Sequence, residues 1–205
     1  MDYFKLNQLI KPKRVLDIGA HIGDFTRALS ILSPECEFIM VEANPNCKSY
    51  LEQIQHPHHI LALSSTTGTS QLYVEKANQI GTGASLYKEN TQWYGDDMFD
   101  LVETPTDTLD NQKYFPDEVI DLVKLDVQGA ELDILNGGSK TIKRSKYVLA
   151  EVSLVEYNQG SPLMDQVVNK LKEYEFVIED IIEYQKFSTN QIFQLDVLFR
   201  NSYIY

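Results

Sequence analysis

The 205-residue sequence predicts an α/β fold: a doubly wound, mostly parallel, seven-stranded sheet closed by a C-terminal antiparallel hairpin. Three observations carry that expectation. Strand-like runs recur at regular intervals and alternate with segments of helical periodicity. The first strand runs directly into a glycine-containing turn that opens a helix. The last two strand-like runs are joined by a short polar loop, which makes them antiparallel neighbours.

Arg14-Val-Leu-Asp-Ile18 is the first strand, Glu37-Phe-Ile-Met-Val41 the second and His59-Ile-Leu-Ala-Leu63 a shorter third. Across residues 24–33, Phe25, Ala28, Leu29 and Leu32 fall at helical spacing, and residues 46–55 do the same. This β-α-β-α-β order implies parallel strands with right-handed crossovers. Residues 64–115 break the rhythm. They hold a strand at 71–74, then Gly81-Thr-Gly-Ala-Ser85, then an aromatic and acidic stretch around Trp93, Tyr94, Asp96 and Asp97. We read them as an insertion, a lid or substrate loop, within one domain covering residues 1–205. Regular α/β resumes with Asp121-Leu-Val-Lys-Leu125 and a helix at 131–136 stopped by Gly137-Gly138. A strand at 147–150 and a helix from Pro162, placed at its first turn, to Tyr174 follow. The runs 176–184 and 191–200, joined across 186–190, form the closing hairpin.

The formal net charge of −12 argues against nucleic acid as a partner, because phosphate contacts need clustered Lys and Arg. The one basic cluster, from Lys140 to Lys146, reads as the solvated end of a helix. No apolar run is long enough to span a membrane, and residues 1–14 lack a signal-peptide core, so the expected compartment is the cytoplasm. Cys36 and Cys47 match no metal spacing and read as structural thiols. His56, His58 and His59, grouped around Pro57, read as a turn entering the third strand. Self-association is left open.

The first strand ends in Asp17-Ile-Gly-Ala-His-Ile-Gly-Asp24. Gly19 and Gly23 stand four apart, so the dinucleotide fingerprint G-x-G-x-x-G is absent. Asp17 would place negative charge where a pyrophosphate should rest, whereas a cationic sulfonium with an amino-acid group tolerates it. The second strand ends in Val41-Glu42-Ala43-Asn44-Pro45. An acidic residue there can accept hydrogen bonds from both hydroxyls of a ribose. A second polar cluster, Lys124-Leu-Asp126-Val-Gln128-Gly-Ala-Glu131, sits at the carboxyl end of another strand, where open α/β sheets bind ligands. Glu131 falls in the first turn of the following helix, a position that favours an acidic side chain in any case.

The motifs Asp17-Ile-Gly-Ala-His-Ile-Gly and Val41-Glu42-Ala-Asn-Pro resemble the first two motifs of class I methyltransferases that use S-adenosylmethionine. Lys124-x-Asp126-x-Gln128-Gly-Ala-Glu131, Ala150-Glu151-Val152, Glu156-Tyr157-Asn158 and Gln194-Leu-Asp196-Val-Leu-Phe199 resemble the FkbM family of such enzymes, over residues 14–199. That family commonly has Glu where this chain has Gln128. The resemblance implies a Rossmann-like methyltransferase fold and S-adenosylmethionine as cofactor. It places Gly19 and its neighbours Ala20, His21 and Gly23 against the methionine part, Glu42 and Ala43 against the ribose, and Ala62 and Leu63 near the adenine. Asp17 and Asp126 complete the cofactor-binding candidates. The family's association with O-methylation implies a sugar or secondary-metabolite hydroxyl as acceptor.

A hydroxyl must lose a proton, so a base is needed; the candidates are Asp126 first, then Glu131, Glu151 and His21. Asp126, Glu131 and Glu151 are hard oxygen donors compatible with a divalent metal, but their spacing does not require one. Tyr87, Trp93, Tyr94, Phe99 and Tyr157 could floor an acceptor pocket or simply tack the insertion to the core. Two other functions stay open at this point: a non-catalytic cofactor-binding scaffold, and a nicotinamide-dependent oxidoreductase, against which the missing third glycine counts.

Overall fold

The computed structural model describes residues 1–90 and 96–204. Its strands are β1 (Arg14–Ile18), β2 (Glu37–Glu42), β3 (His58–Ile60), β4 (Ala62–Ser64), β5 (Gly68–Glu75), β6 (Phe99–Thr108), β7 (Ile120–Leu125), β8 (Ser145–Ser153), β9 (Phe176–Lys186) and β10 (Ile192–Asn201). The helices are α1 (Tyr3–Ile10), α2 (Asp24–Leu32), α3 (Lys48–Leu51), α4 (Leu109–Gln112), α5 (Glu131–Gly137), α6 (Ser139–Lys143) and α7 (Met164–Glu173).

Seven strands make one sheet in the order β3-β2-β1-β7-β8-β10-β9. The first five of these run parallel, and β10 lies antiparallel to both β8 and β9. The expected parallel sheet with a closing hairpin is therefore the architecture of this chain. β7 is buried along its whole length, as a strand covered on both faces must be. One face packs Leu16, Ile18, Val123, Leu125, Val148 and Val197 beneath α4 to α7. The other packs Val15, Leu122, Leu149 and Leu198 beneath α1 and α2, through Leu6, Ile10, Phe25 and Leu29.

Four local expectations change. The run 59–63 serves two sheets. Its first part pairs with β2, and its second part leaves to pair in parallel with β6, where the Ser64 carbonyl lies close against Gly137 at the end of α5. The insertion is more regular than its composition implies, since β5 and β6 pair over eight residues in a second sheet, order β4-β6-β5. The 46–55 helix shrinks to a 3-10 turn at Pro45–Cys47 followed by the single turn α3. Pro162 lies outside α7, before the N-cap residue Leu163, whose N–H donates to the Gln166 side chain at 2.9 Å. Helix α1 was not anticipated; Asp2 caps it through the Lys5 N–H at 2.9 Å. No helix among the described residues is long and apolar enough to cross a membrane.

Candidate active site

Side chains alternate along a strand, and on the face beneath α1 and α2 that alternation changes character toward one end of the sheet. Val15, Leu122, Leu149 and Leu198 are buried and apolar. One step of two residues further on stand Asp17, Lys124, Glu151 and Asp196. Beyond Lys124, Asp126 ends the run. A cavity of about 330 Å³ opens here, at the carboxyl ends of β1, β2, β7 and β8, the place where open α/β sheets hold ligands. Gly19, Ala20, His21, Glu42, Ala43, Ala62 and Leu63 border it, with Leu61 and Leu72 extending the apolar strip. The insertion contributes Gly81, Thr82, Ala84, Ser85 and Leu86. Lys124, Asp126, Glu151, Glu183 and Asp196 form the charged part of the wall, with the Phe25 ring beside them.

The glycine turn is built by close approach. Gly19 and Ala20 donate their N–H groups to the Val41 carbonyl at 2.9 and 3.1 Å, which ties the β1–α2 turn to β2. Gly19 has φ +77°, and a Cβ there would overlap the Asp126 carbonyl oxygen. Only glycine lets the ends of β1 and β7 touch in this way. Gly19→Ala should therefore lose roughly 2–6 kcal/mol from backbone strain and overpacking. An unchanged urea midpoint would contradict the close approach.

His21, at φ 53°, is fixed at both ends. Its N–H donates to Glu42 Oε2 at 2.7 Å, and its Nε2 donates to the Ile80 carbonyl of the insertion at 2.6 Å. Glu42 Oε1 accepts the Asn44 N–H at 2.7 Å, and Asn44 Nδ2 reaches the Gln79 carbonyl at 2.8 Å. Burial pushes the Glu42 carboxyl above the usual range, opposed by these two backbone N–H groups. The tip of β2 and residues 79–80 of the insertion thus form one bonded unit.

Asp17 and Gly23 do not border the cavity. Asp17 is fully buried and accepts a hydrogen bond from Thr26 Oγ1 at 2.7 Å. Lys124 Nζ stands 3.6 Å from it, 3.0 Å from Asp126 Oδ2 and 3.3 Å from the Gly19 carbonyl. Burial alone would lower the Lys124 pKa, but Asp126 and Asp17 overcome it and hold the ammonium charged. Gly23, at φ +86°, faces Ile54 of the β2–β3 connection instead.

Glu131 also turns away from the cavity. It is buried at the start of α5 and accepts the N–H groups of Val127 and Gly129 at 3.3 and 3.2 Å, closing the turn that follows β7. Burial, countered in part by those bonds, pushes it up to about 7 from 4.5. Between those values the folded chain keeps a proton that the unfolded chain releases. Stability therefore falls as pH rises through that window, by about 3 kcal/mol for a shift of this size. Glu131→Gln keeps an oxygen for both bonds and removes the titration. Its urea midpoint relative to wild type should rise as pH increases from 4.5 to 7; a difference independent of pH would contradict this.

Glu151 faces the cavity with Oε2 held by two neutral amides, Gln128 Nε2 at 2.8 Å and Gln194 Nε2 at 3.1 Å. Gln128 also reaches Asp126 Oδ1 at 3.3 Å. Burial, then repulsion from Asp126 and Glu131, raises Glu151 well above the ordinary carboxylate range. The Gln128 carbonyl accepts Ser85 Oγ and Asn158 Nδ2, each at 2.6 Å. The insertion is thereby bound to the β7 turn as well as to the tip of β2.

A chain with this site matches the family model described as the methyltransferase FkbM domain over residues 17–178. It belongs to that family. The 2-O-methyltransferase NoeI of Sinorhizobium fredii (strain NBRC 101917 / NGR234) is 25% identical to it over 180 residues, which cover 80% of this chain and 73% of that protein. Among solved structures, a methyltransferase FkbM from Methylobacillus flagellatus KT superposes with a TM-score of 0.54 at 13% identity. That match covers 92% of this chain, which spans only 43% of the other's length. The magnesium protoporphyrin IX methyltransferase ChlM of Synechocystis PCC 6803, solved with bound S-adenosylmethionine, superposes at 0.52 with 10% identity, over 98% of this chain and 79% of that one. At these identities the superpositions establish a shared fold.

The other described side chains singled out in the sequence of this FkbM-family chain have packing partners. Tyr87 donates to Asp133 at 2.7 Å, Phe99 packs edge-on against Tyr73, and Tyr157 stacks on Phe193; none of the three borders the cavity. Trp93 and Tyr94 lie outside the described residues. Among the described residues the Phe and Tyr rings that do border it are Tyr3 and Phe25, 5.8 Å apart. His56 and His59 pack on Phe38 and Tyr114. Cys36 and Cys47 are free and buried, with both thiols pushed up to about 12 by burial. Among the described residues no three His, Cys, Asp or Glu side chains come together as a metal site would require. Wall residues not singled out as site candidates from sequence include Tyr3, Phe25, Glu183, Gln185 and Asp196, the last quoted only within an FkbM-like motif. Phe25 and Tyr3 carried a signal in their amphipathic helices, whereas Asp196 and Glu183 reach the cavity through hairpin register.

Proposed function

We propose that this chain is an S-adenosylmethionine-dependent methyltransferase acting on a hydroxyl of a small molecule, a sugar or secondary metabolite. The observation that carries the reading is Glu42. It borders the cavity at the tip of β2, is pinned by two backbone N–H groups, and keeps carboxylate lone pairs for the two hydroxyls of a ribose. The neighbouring wall suits the rest of such a molecule. Leu61, Ala62, Leu63 and Leu72 offer an apolar slot for adenine, and Gly19, Ala20 and His21 flank the place for the amino-acid portion. The acidic lining tolerates a sulfonium and disfavours the pyrophosphate of a nicotinamide cofactor.

The cofactor, once bound, supplies an electrophilic methyl carbon. This chain's residues align the acceptor, a contribution of roughly 7–11 kcal/mol when orientation is good, and remove its proton. Among the carboxylates proposed as base, Glu151 fits best. Both Asp126 oxygens already meet donors from Lys124 and Gln128, whereas among the described residues Glu151 accepts hydrogen bonds on Oε2 alone. Burial, with Asp126 and Glu131 nearby, raises its proton affinity, which strengthens it as a base. Asp126 then orients the acceptor hydroxyl, and Lys124 fixes Asp126. His21, bonded to Ile80, and Glu131, bonded to the β7 turn, act on the architecture of the site. Residues 81–86 of the insertion serve as its cover.

Incubation with methyl-labelled S-adenosylmethionine and a pool of hydroxylated metabolites, read by NMR, tests this. The expected product carries a labelled O-methyl resonance. Label appearing only on nitrogen, or no transfer at all, would overturn the assignment.

A further inference from the structure

We infer that Asp126, Glu151, Asp196 and Glu183 form a continuous row of carboxylates that selects an elongated, amine-bearing or uncharged polyhydroxy acceptor and rejects anionic ones. The inference rests on the methyl-transfer reading above and assigns Asp196 and Glu183 as specificity-determining residues. The row follows from register. Asp196 on β10 stands opposite Glu151 on β8 and opposite Glu183 on β9. Asp126 follows Leu125, whose partner is Ala150, so it falls beside Glu151. Adjacent strands lie about 4.8 Å apart, which makes the row roughly 14 Å long, and all four side chains border the cavity.

Like charges directly opposite each other across strands destabilise a sheet, yet four neighbouring strands place an acid at one level. The same repulsion bears on Asp196, whose carboxyl burial, with Asp126 alongside, pushes up to about 6. Among the described residues, the cations in direct contact with the row stand at its two ends. Lys124 sits on Asp126, and the amino group of Met1 lies 2.7 Å from Glu183. In the middle, Glu151 meets only the neutral amides of Gln128 and Gln194. No hydrogen-bond donor among the described residues reaches the Asp196 carboxylate.

Ionised carboxylates are acceptors only, so the row asks for donors spaced along the acceptor: hydroxyls or ammonium groups. Tyr3 and Phe25, packed on each other and also on this wall, give it an apolar border beside the carbon skeleton of a sugar-like ring. A carboxylate, sulfate or phosphate placed here would face charges of its own sign in a partly dehydrated cleft, which is how a site excludes the wrong partner.

The test uses the full chain saturated with S-adenosylhomocysteine and three probes of equal length: a glucosamine trimer, cellotriose and trigalacturonate. Calorimetry should rank their affinities in that order, with the first at least about tenfold tighter than the last. Asp196→Asn and Glu183→Gln should each shrink that ratio with S-adenosylhomocysteine affinity unchanged. Asp196→Asn should also hold or raise the thermal midpoint, because it relieves repulsion; a lowered midpoint would make the carboxylate structural and overturn the assignment. Trigalacturonate binding as tightly as the amine-bearing trimer, no trimer binding at all, or a ratio unmoved by both variants would overturn it while leaving the cofactor reading intact. Failure of S-adenosylhomocysteine itself to bind would overturn both.

Discussion

Lys124→Met is expected to cost about 3–5 kcal/mol of stability at neutral pH, the penalty for leaving a buried charge without its partner. Asp17 is completely buried, and among the described residues its Oδ1 has no hydrogen bond, only the Lys124 ammonium at 3.6 Å. Burial already raises the Asp17 pKa, with Lys124 the largest opposing influence. Without the lysine, folded Asp17 holds its proton to still higher pH than the unfolded chain does. The loss should therefore be smallest in acid and grow as pH rises through the carboxylate range before levelling off. Urea unfolding at several pH values checks this. Adding Asp17→Asn to the variant should return part of the lost stability, since the two sites are coupled. A loss below about 1 kcal/mol, within the range of an exposed pair, would contradict the role given to this buried cluster.

Glu151→Gln is expected to lower kcat by about 10²–10⁴-fold, the usual contribution of a positioned base. An amide oxygen can still accept from Gln128 and Gln194, so folding and S-adenosylhomocysteine affinity should match wild type. In the wild type, kcat/KM should fall toward acid pH as Glu151 takes up its proton. The variant should lose that limb of the profile. A turnover rate equal to wild type's would remove Glu151 as the base.

What was legible in the sequence is what depends on local pattern. The apolar runs of β1, β2 and β7 and the amphipathic spacing of Phe25 and Leu29 in α2 are decided by neighbours along the chain. So is the placement of Gly19, Glu42 and Asp126 at strand ends. These suffice for the sheet and for one wall of the cavity. The rest depends on partners distant in sequence. The run 59–63 divides between β2 and the distant β6, a pairing invisible at residue 63. The composition of 64–115 reads as irregular because the pairing of β5 with β6 spans a long connection. Asp196 and Glu183 reach the cavity through a hairpin whose register shifts between Asp196 and Val197, and a one-residue slip would turn them to the other face. Glu131 looked like a candidate base because residue type and helix position do not reveal which way a carboxylate turns. In the folded chain it caps the Val127 and Gly129 amides.

The central claim, that the Gly19–Glu42 cavity holds S-adenosylmethionine, is tested most directly by calorimetric titration of wild type and Glu42→Gln with S-adenosylhomocysteine. The account predicts one site per chain in the micromolar range, weakened about 10- to 100-fold in the variant by the loss of charge-assisted hydrogen bonds. No heat of binding to wild type, or equal affinity in both proteins, would contradict it.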